Sequence, residues 1–172
     1  MYELRWQIDR TAMDVSTLLD SLTLIPDFSS QPIGVAGISM GGFVAYAATA
    51  RDPRLAFTMA FIASPFWEDI PRNAAVRDDS ASLARFRAYA KSQSPHQALA
   101  SRCPRLLWGS IGSKDVHYDG TKVADLYRGL SAKCGKGDDI VLKSYPVAHE
   151  VSAVMWNDAV EWLDARLAPL AK

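Results

Sequence analysis

Cysteine and histidine are both scarce in this chain, with two of the first and three of the second among 172 residues. Cys103 and Cys134 form no Cys-x-x-Cys pair, and His96, His117 and His149 are not at paired spacing. No metal-ligand pattern is therefore legible. The two cysteines could pair, but two lone cysteines in a chain of this kind are more often free thiols in a reducing compartment, which points to the cytoplasm. An excess of charge is also missing: 19 Lys and Arg balance 19 Asp and Glu, for a formal net charge of +0. That excludes the basic field that would draw nucleic acid or an anionic membrane surface. No apolar run reaches membrane-spanning length, and no basic, then apolar, leader opens the sequence. A glycine-rich loop ending in Lys, the mark of a phosphate site, is absent, and no cofactor is expected. There are no internal repeats or low-complexity tracts.

What is present is an ordinary globular composition, 49% hydrophobic and 22% charged. The length predicts a single domain, 1–172, large enough to bury a real core. Tyr2, Leu4, Trp6 and Ile8 alternate with more polar residues and predict a strand. Asp14 to Leu22 reads as an amphipathic helix. Residues 26–32 read as a loop. Ile33 to Ala36 is of strand length, and a helix follows to Ala50, stopped by Asp52-Pro53. Leu55 to Ala63 is a continuous apolar strand, as in a sheet buried on both faces. Residues 66–103 are irregular, with a helix capped at 78–80 and running through Tyr89, then a helical turn at Ser94-Pro95. Arg105 to Trp108, extending toward Ile111, is a strand. Thr121 to Ala132 is a helix, Ile140 to Tyr145 a strand and Ser152 to Leu167 a closing helix. This alternation predicts an α/β fold with a mainly parallel sheet flanked by helices.

One short stretch stands out, Gly37-Ile38-Ser39-Met40-Gly41-Gly42. It lies between an apolar strand and an alanine-rich helix. Strand, tight turn and helix with Ser at the apex is the layout of a nucleophile elbow. Gly37 and Gly41 lack the Cβ that would obstruct the close approach of strand and helix. The helix N-terminus then faces the Ser and favours developing negative charge. A glycine-rich turn with a helix-capping Ser is the plainer alternative.

A Ser hydroxyl needs a base, and the base needs an acid to orient it. His149 and Asp115 each follow a later strand. In a parallel sheet the strand C-termini open onto one edge, where ligands bind. Ser39, Asp115 and His149 therefore come to one edge, in the chain order Ser, Asp, His expected for a nucleophile elbow. Asp115 is favoured over Asp119, Glu150 and Asp139, and His117 is the rival base. His96 reads as an exposed polar residue. The Met40 N–H, following the nucleophile, is the expected oxyanion donor. Phe66, Trp67 and Trp108 could line a substrate pocket, although core packing is the more common role of such residues.

These residues resemble the α/β-hydrolase superfamily. Gly37 to Gly42 looks like its elbow, and Gly112-Ser113-Lys114-Asp115 like its acid-bearing turn. Tyr145-Pro146-Val147-Ala148-His149-Glu150-Val151 is similar to the His loop of the carboxylesterase and phospholipase group. Ser94 to Leu107 is similar to the approach to the acid strand in dienelactone-hydrolase-like esterases. The resemblance runs from Asp14 onward. It implies a cofactor-free serine esterase with Ser39 as nucleophile, His149 as base then acid, and Asp115 as its orienter. Phe66 and Trp67 would contact a small-molecule ester, and 66–103 would shape the pocket. A thioesterase or a lactone or dienelactone hydrolase is the alternative within acyl chemistry. An inactive hydrolase serving as a binding or assembly module is the alternative outside it.

The resemblance also carries a departure. Superfamily members usually have several strands before the elbow, one loop of which supplies a second oxyanion donor. Here only residues 1–38 precede Ser39, with no His-Gly-Gly-like loop among them. The expected fold is a shortened one, with one oxyanion donor and an uncovered strand edge beside Ile33 to Ala36. Tyr2 to Ile8 could fill that edge; otherwise a second copy would, predicting a homodimer or higher oligomer.

Overall fold

In the computed structural model, residues 2–69, 80–134 and 137–167 are described. The chain runs α1 (Tyr2–Leu22), α2 (Pro26–Ser29), β1 (Val35–Ile38), α3 (Met40–Arg51), β2 (Thr58–Phe61), α4 (Ser80–Gln93) and α5 (His96–Arg102). It continues β3 (Leu107–Gly112), α6 (Gly120–Cys134), β4 (Ile140–Tyr145) and α7 (Ala153–Leu167), with a short 3-10 turn at Gly137–Asp139. The four strands form one parallel sheet in the order β1-β2-β3-β4. The expected α/β class with a mainly parallel sheet is what the chain adopts. The expected helix cap at Asp78 or Asp79 lies outside the described residues.

Alternation along the strands sorts the core into two layers. Ala60, Leu107 and Ile111 face a cluster that includes Phe43, Val44, Ala47, Val123 and Tyr127 of α3 and α6. Met59, Phe61, Trp108 and Tyr145 face Met155, Ala159 and Trp162 of α7. β2 is buried along its whole length, as its unbroken apolar run predicts. From Gly42 to Ala48 every residue of α3 is buried. Its alanines let it sit close to the sheet with α1 packed outside it. Helix and strands are thus held rigidly on either side of the elbow.

The strand expected at Tyr2 to Ile8 is a helix. Its core-facing residues are Arg5, Ile8, Ala12 and Leu19, spaced three to four or seven apart, while Leu4 and Trp6 are exposed. A helical stripe and a two-residue alternation coincide at Ile8, and over so short a window the wrong period wins. Arg5 is buried with its guanidinium 4.3 Å from the centre of the Phe43 ring. Burial pushes that guanidinium down to about 10, opposed by the charges of Asp69 and Glu68. Arg51 pairs with Asp9 and further ties α3 to α1.

The free-thiol expectation is also corrected, because Cys103 and Cys134 form a disulfide. It joins the C-terminal end of α5 to that of α6, 31 residues apart in sequence. A bridge across a loop of this size contributes about 2–4 kcal/mol, mainly by restricting the unfolded chain. Disulfides persist in oxidising surroundings, so the ground for expecting a reducing compartment is removed. No helix among the described residues is long and apolar enough to cross a membrane.

β1 is an edge strand. The Val35 and Ser39 N–H groups donate to the Phe57 and Phe61 carbonyls of the neighbouring strand. By alternation, the N–H and C=O groups of Ala36 and Ile38 point to the outer edge. Ile38 is 49% exposed, and among the described residues no strand pairs with the outer side of β1.

Candidate active site

Three loops at the C-terminal ends of β1, β3 and β4 build the site. At the first, Ser39 sits at φ 54°, ψ −116°, a conformation that costs an L-residue energy and persists only when its surroundings enforce it. The enforcement is visible. Ser39 N–H is held by the Phe61 carbonyl at 2.9 Å, and its own carbonyl accepts from Phe43 N–H at 3.1 Å. A Cβ on Gly37 would lie 2.1 Å from the Gly41 carbonyl oxygen, and one on Gly42 would lie 2.6 Å from the Ala63 Cβ. Gly41 has nothing within 4 Å. The close approach therefore depends on Gly37 and Gly42, not on the Gly37 and Gly41 of the sequence reading. Met40 opens α3, and its N–H, the first of the helix, has no intrahelical acceptor.

The second and third loops are strapped together. Ser113 N–H donates to Tyr145 O at 2.8 Å and Lys114 N–H to Val147 O at 3.0 Å. Gly112 allows this, since a Cβ there would lie 2.4 Å from Ala148 O. The turn closes with Asp115 N–H on Gly112 O at 3.1 Å. The acid turn and the His loop thus form one unit, and the Asp115 side chain is wholly buried beside His149.

Within that unit the polar atoms form a continuous line. Ser39 Oγ is 2.7 Å from His149 Nε2. His149 Nδ1 is 2.7 Å from Asp115 Oδ2. An ionised carboxylate only accepts, so His149 carries its proton on Nδ1 and presents Nε2 as acceptor to the Ser hydroxyl. Burial pushes the Asp115 carboxyl up. Hydrogen bonds from the His117 N–H, the His149 ring and the His117 ring, with the His149 charge, outweigh it, so the carboxyl lies below its ordinary value. Tyr118 is buried beside it and takes the Gly112 N–H at 3.4 Å. Burial, then the Asp115 charge, raises that hydroxyl above the tyrosine range.

The other expected residues fall elsewhere. His117, the rival base, donates from Nδ1 to the second oxygen of Asp115 at 2.9 Å and does not reach Ser39 in the way His149 does. Asp119 accepts from Thr121 N–H at 3.0 Å at the start of α6. Asp139 pairs with Arg166 at 3.6 Å, and Glu150 is exposed. His96 is not the free polar residue expected. It is half-buried, bonded from Nδ1 to Ser94 Oγ at 2.8 Å and stacked on Phe66 with ring centroids 4.5 Å apart. Trp67 and Trp108 are fully buried, which is the core role weighed for them. The contact of His117 with Asp115 was not read from the sequence, although Asp-x-His spacing was the available signal.

Asp115, His117 and His149 also place three potential ligand atoms within 4.8 Å of one another. The Nδ1 atoms of both rings are turned onto the carboxylate at hydrogen-bond distance. A cavity of about 460 Å³ lies beyond the C-terminal end of β2, and Ser39, Asp115 and His149 are not among the residues that line it. Glu68, Asp69, Arg87, Lys91, His96 and Lys122 are among its lining residues. A second, of about 280 Å³, is lined by Leu19, Phe28, Arg54 and Arg105 at the opposite ends of the strands.

By sequence, no family model and no curated protein matches the chain. By structure, it is similar to a promiscuous CE15 esterase from a marine bacterial metagenome. That match has a TM-score of 0.69 at 21% identity, covering 91% of this chain and 47% of the other. It is also similar to the esterase Pf2001 of Pyrococcus furiosus, at 0.67 and 19%, covering 92% and 63%. A third neighbour is acyl-protein thioesterase 2 of Zea mays, at 0.56 and 19%, covering 93% and 64%. Over the matched residues the chain has the fold of these esterases. The chain spans roughly half to two thirds of the length of these neighbours.

Proposed function

We propose that the chain is a serine hydrolase that cleaves short-chain carboxylic esters through an acyl-enzyme. One observation carries this reading: the unbroken line Ser39–His149–Asp115, with 2.7 Å at both links, starting from a Ser held at positive φ. In the first step Ser39 Oγ attacks the ester carbonyl carbon as its proton passes to His149 Nε2. Asp115 stabilises the imidazolium that forms. The Met40 N–H and the positive end of α3 face the developing oxyanion. His149 then protonates the departing alcohol, and a water activated by the same Nε2 releases the acid and frees Ser39.

Phe66, stacked on His96, is assigned to the substrate wall in this reading, while Trp67 is fully buried and can act only as support from within the core.

A fluorophosphonate probe is expected to label wild-type protein at Ser39, and p-nitrophenyl acetate to be cleaved faster than longer-chain esters. Faster cleavage of a thioester or lactone than of any matched ester would move the assignment within acyl chemistry. No labelling together with no turnover would leave the binding-module reading.

The open side of β1 supports a homodimer. Two copies related by a two-fold axis can pair their edge strands antiparallel, joining two four-stranded sheets and covering Ile38. Light scattering after gel filtration should then give twice the chain mass, and Ile38→Lys should return a monomer. A wild-type monomer at working concentration would refute this.

A further inference from the structure

Asp115 serves two histidines. Oδ2 takes the Nδ1–H of His149 at 2.7 Å. Oδ1 takes both the backbone N–H of His117 at 2.9 Å and its Nδ1–H, also at 2.9 Å. The two imidazoles lie against each other, with ring centroids 4.1 Å apart and planes at 44°. One wholly buried carboxylate thus holds two rings in contact, and a catalytic Ser-His-Asp line requires only one of them. The His117 side chain is 40% exposed, so the ring is in contact with solvent.

We infer that His117 is a positioning residue for the reaction proposed above and a proton-sensitive brake on it. Two physical effects support this. While neutral, His117 gives Asp115 Oδ1 a second donor and fixes the carboxylate plane, so Oδ2 stays aligned with His149. Once protonated, His117 becomes a cation paired with that same carboxylate and packed on the neighbouring ring. The imidazolium that His149 must become in the transition state then forms beside a like charge, and its counter-charge is already shared.

The charged and titratable groups around the pair do not offset this. Asp115 is the one carboxylate bonded to both rings. Tyr118 is buried and holds its proton, and Asp119 is engaged with the N-terminus of α6. Glu150 is exposed, and Ser39 on the far side of His149 is neutral.

The experiment compares wild type with His117→Asn and His117→Phe. Asn can donate to Asp115 Oδ1 but cannot be protonated; Phe keeps a ring against His149 but donates nothing. Thermal melts check that each variant folds. His117→Phe is expected to lower kcat about tenfold with little change in KM, and His117→Asn to recover most of that loss. His117→Asn should also move the acid limb of kcat/KM to lower pH, because one of two sites whose protonation opposes the reaction is removed. Independently of turnover, proton NMR of wild type should show two low-field Nδ1–H resonances, one of which disappears in His117→Asn.

The inference is overturned if the acid limbs of wild type and His117→Asn superimpose, or if wild type shows a single low-field resonance. Should wild type neither turn over esters nor take up fluorophosphonate, the esterase reading fails. The two-resonance signature then decides by itself whether Asp115 holds both rings.

Discussion

Ser39→Ala is expected to lower kcat/KM for a short activated ester by about four to six orders of magnitude, and to leave the melting temperature within a few degrees of wild type. The chemistry places that whole loss on one oxygen. Without Oγ no acyl-enzyme forms, and the aligned His149 has no hydroxyl to deprotonate. His149→Ala should cost a similar amount, and the double variant little more than either single one, because the two residues act as a unit. A double variant slower by the product of the single losses would mean that they act independently and would refute the relay. Fold and chemistry can also be separated at this position. At φ 54° any residue with a Cβ is strained, while Gly is not. Ser39→Gly should therefore be as inactive as Ser39→Ala but melt a few degrees higher, because relief of about 1 kcal/mol moves Tm by roughly 2–4 °C in a chain of this size. Equal melting of the two would place the strain elsewhere.

The elements that organise this site were legible because local chemistry specifies them. The apolar run at 33–36, the small residues at 37, 41 and 42 and the alanines that follow leave few structures other than strand, turn and helix. β4 falls where the sequence reading places a strand, at Ile140–Tyr145. Ser39, Asp115 and His149 come to one edge because a parallel sheet leaves its strand C-termini there. What escaped sequence reasoning depends on tertiary contact. The core face of α1 includes Arg5, whose burial against Phe43 has no signature in an apolar pattern. The partnership of Cys103 and Cys134 follows from α5 and α6 lying side by side, and spacing cannot report it. The choice of Asp115 over Asp119 was a ranking until backbone bonds tied residues 113 and 114 to 145 and 147. The sequence offers His117 only as a rival to His149, and its bond to Asp115 Oδ1 is visible only in the fold. Nothing in a linear sequence says that one carboxylate has room for two rings.

The two glycines that frame the nucleophile are expected to respond oppositely to the smallest possible change. Gly37→Ala places a Cβ 2.1 Å from Gly41 O, 2.2 Å from Gly41 C and 2.7 Å from Gly42 N. Each of those neighbours is backbone, so no side chain can swing away. Either β1 or α3 must move. β1 is held in register with β2 from Val35 to Ile38, and α3 is buried along most of its length beneath α1. Displacement by the ångström or so required opens the packing of Phe43, Ala47 and their neighbours and rotates Ser39 off the line to His149. A cost of about 3–5 kcal/mol follows, a large share of the 5–15 kcal/mol typical of a domain. The melting temperature should fall by about 10 °C or more, and labelling of Ser39 should be lost in whatever protein stays folded. Gly41→Ala meets nothing within 4 Å and lies in the first turn of α3, where alanine is the better helix former. It should fold normally, melt at or slightly above the wild-type temperature and keep its reactivity toward fluorophosphonate. Thermal melts of the pair read the contrast directly. If Gly37→Ala melts within about 2 °C of wild type, the strand and helix do not pass as closely as the elbow requires, and the geometry assigned to Ser39 falls with it.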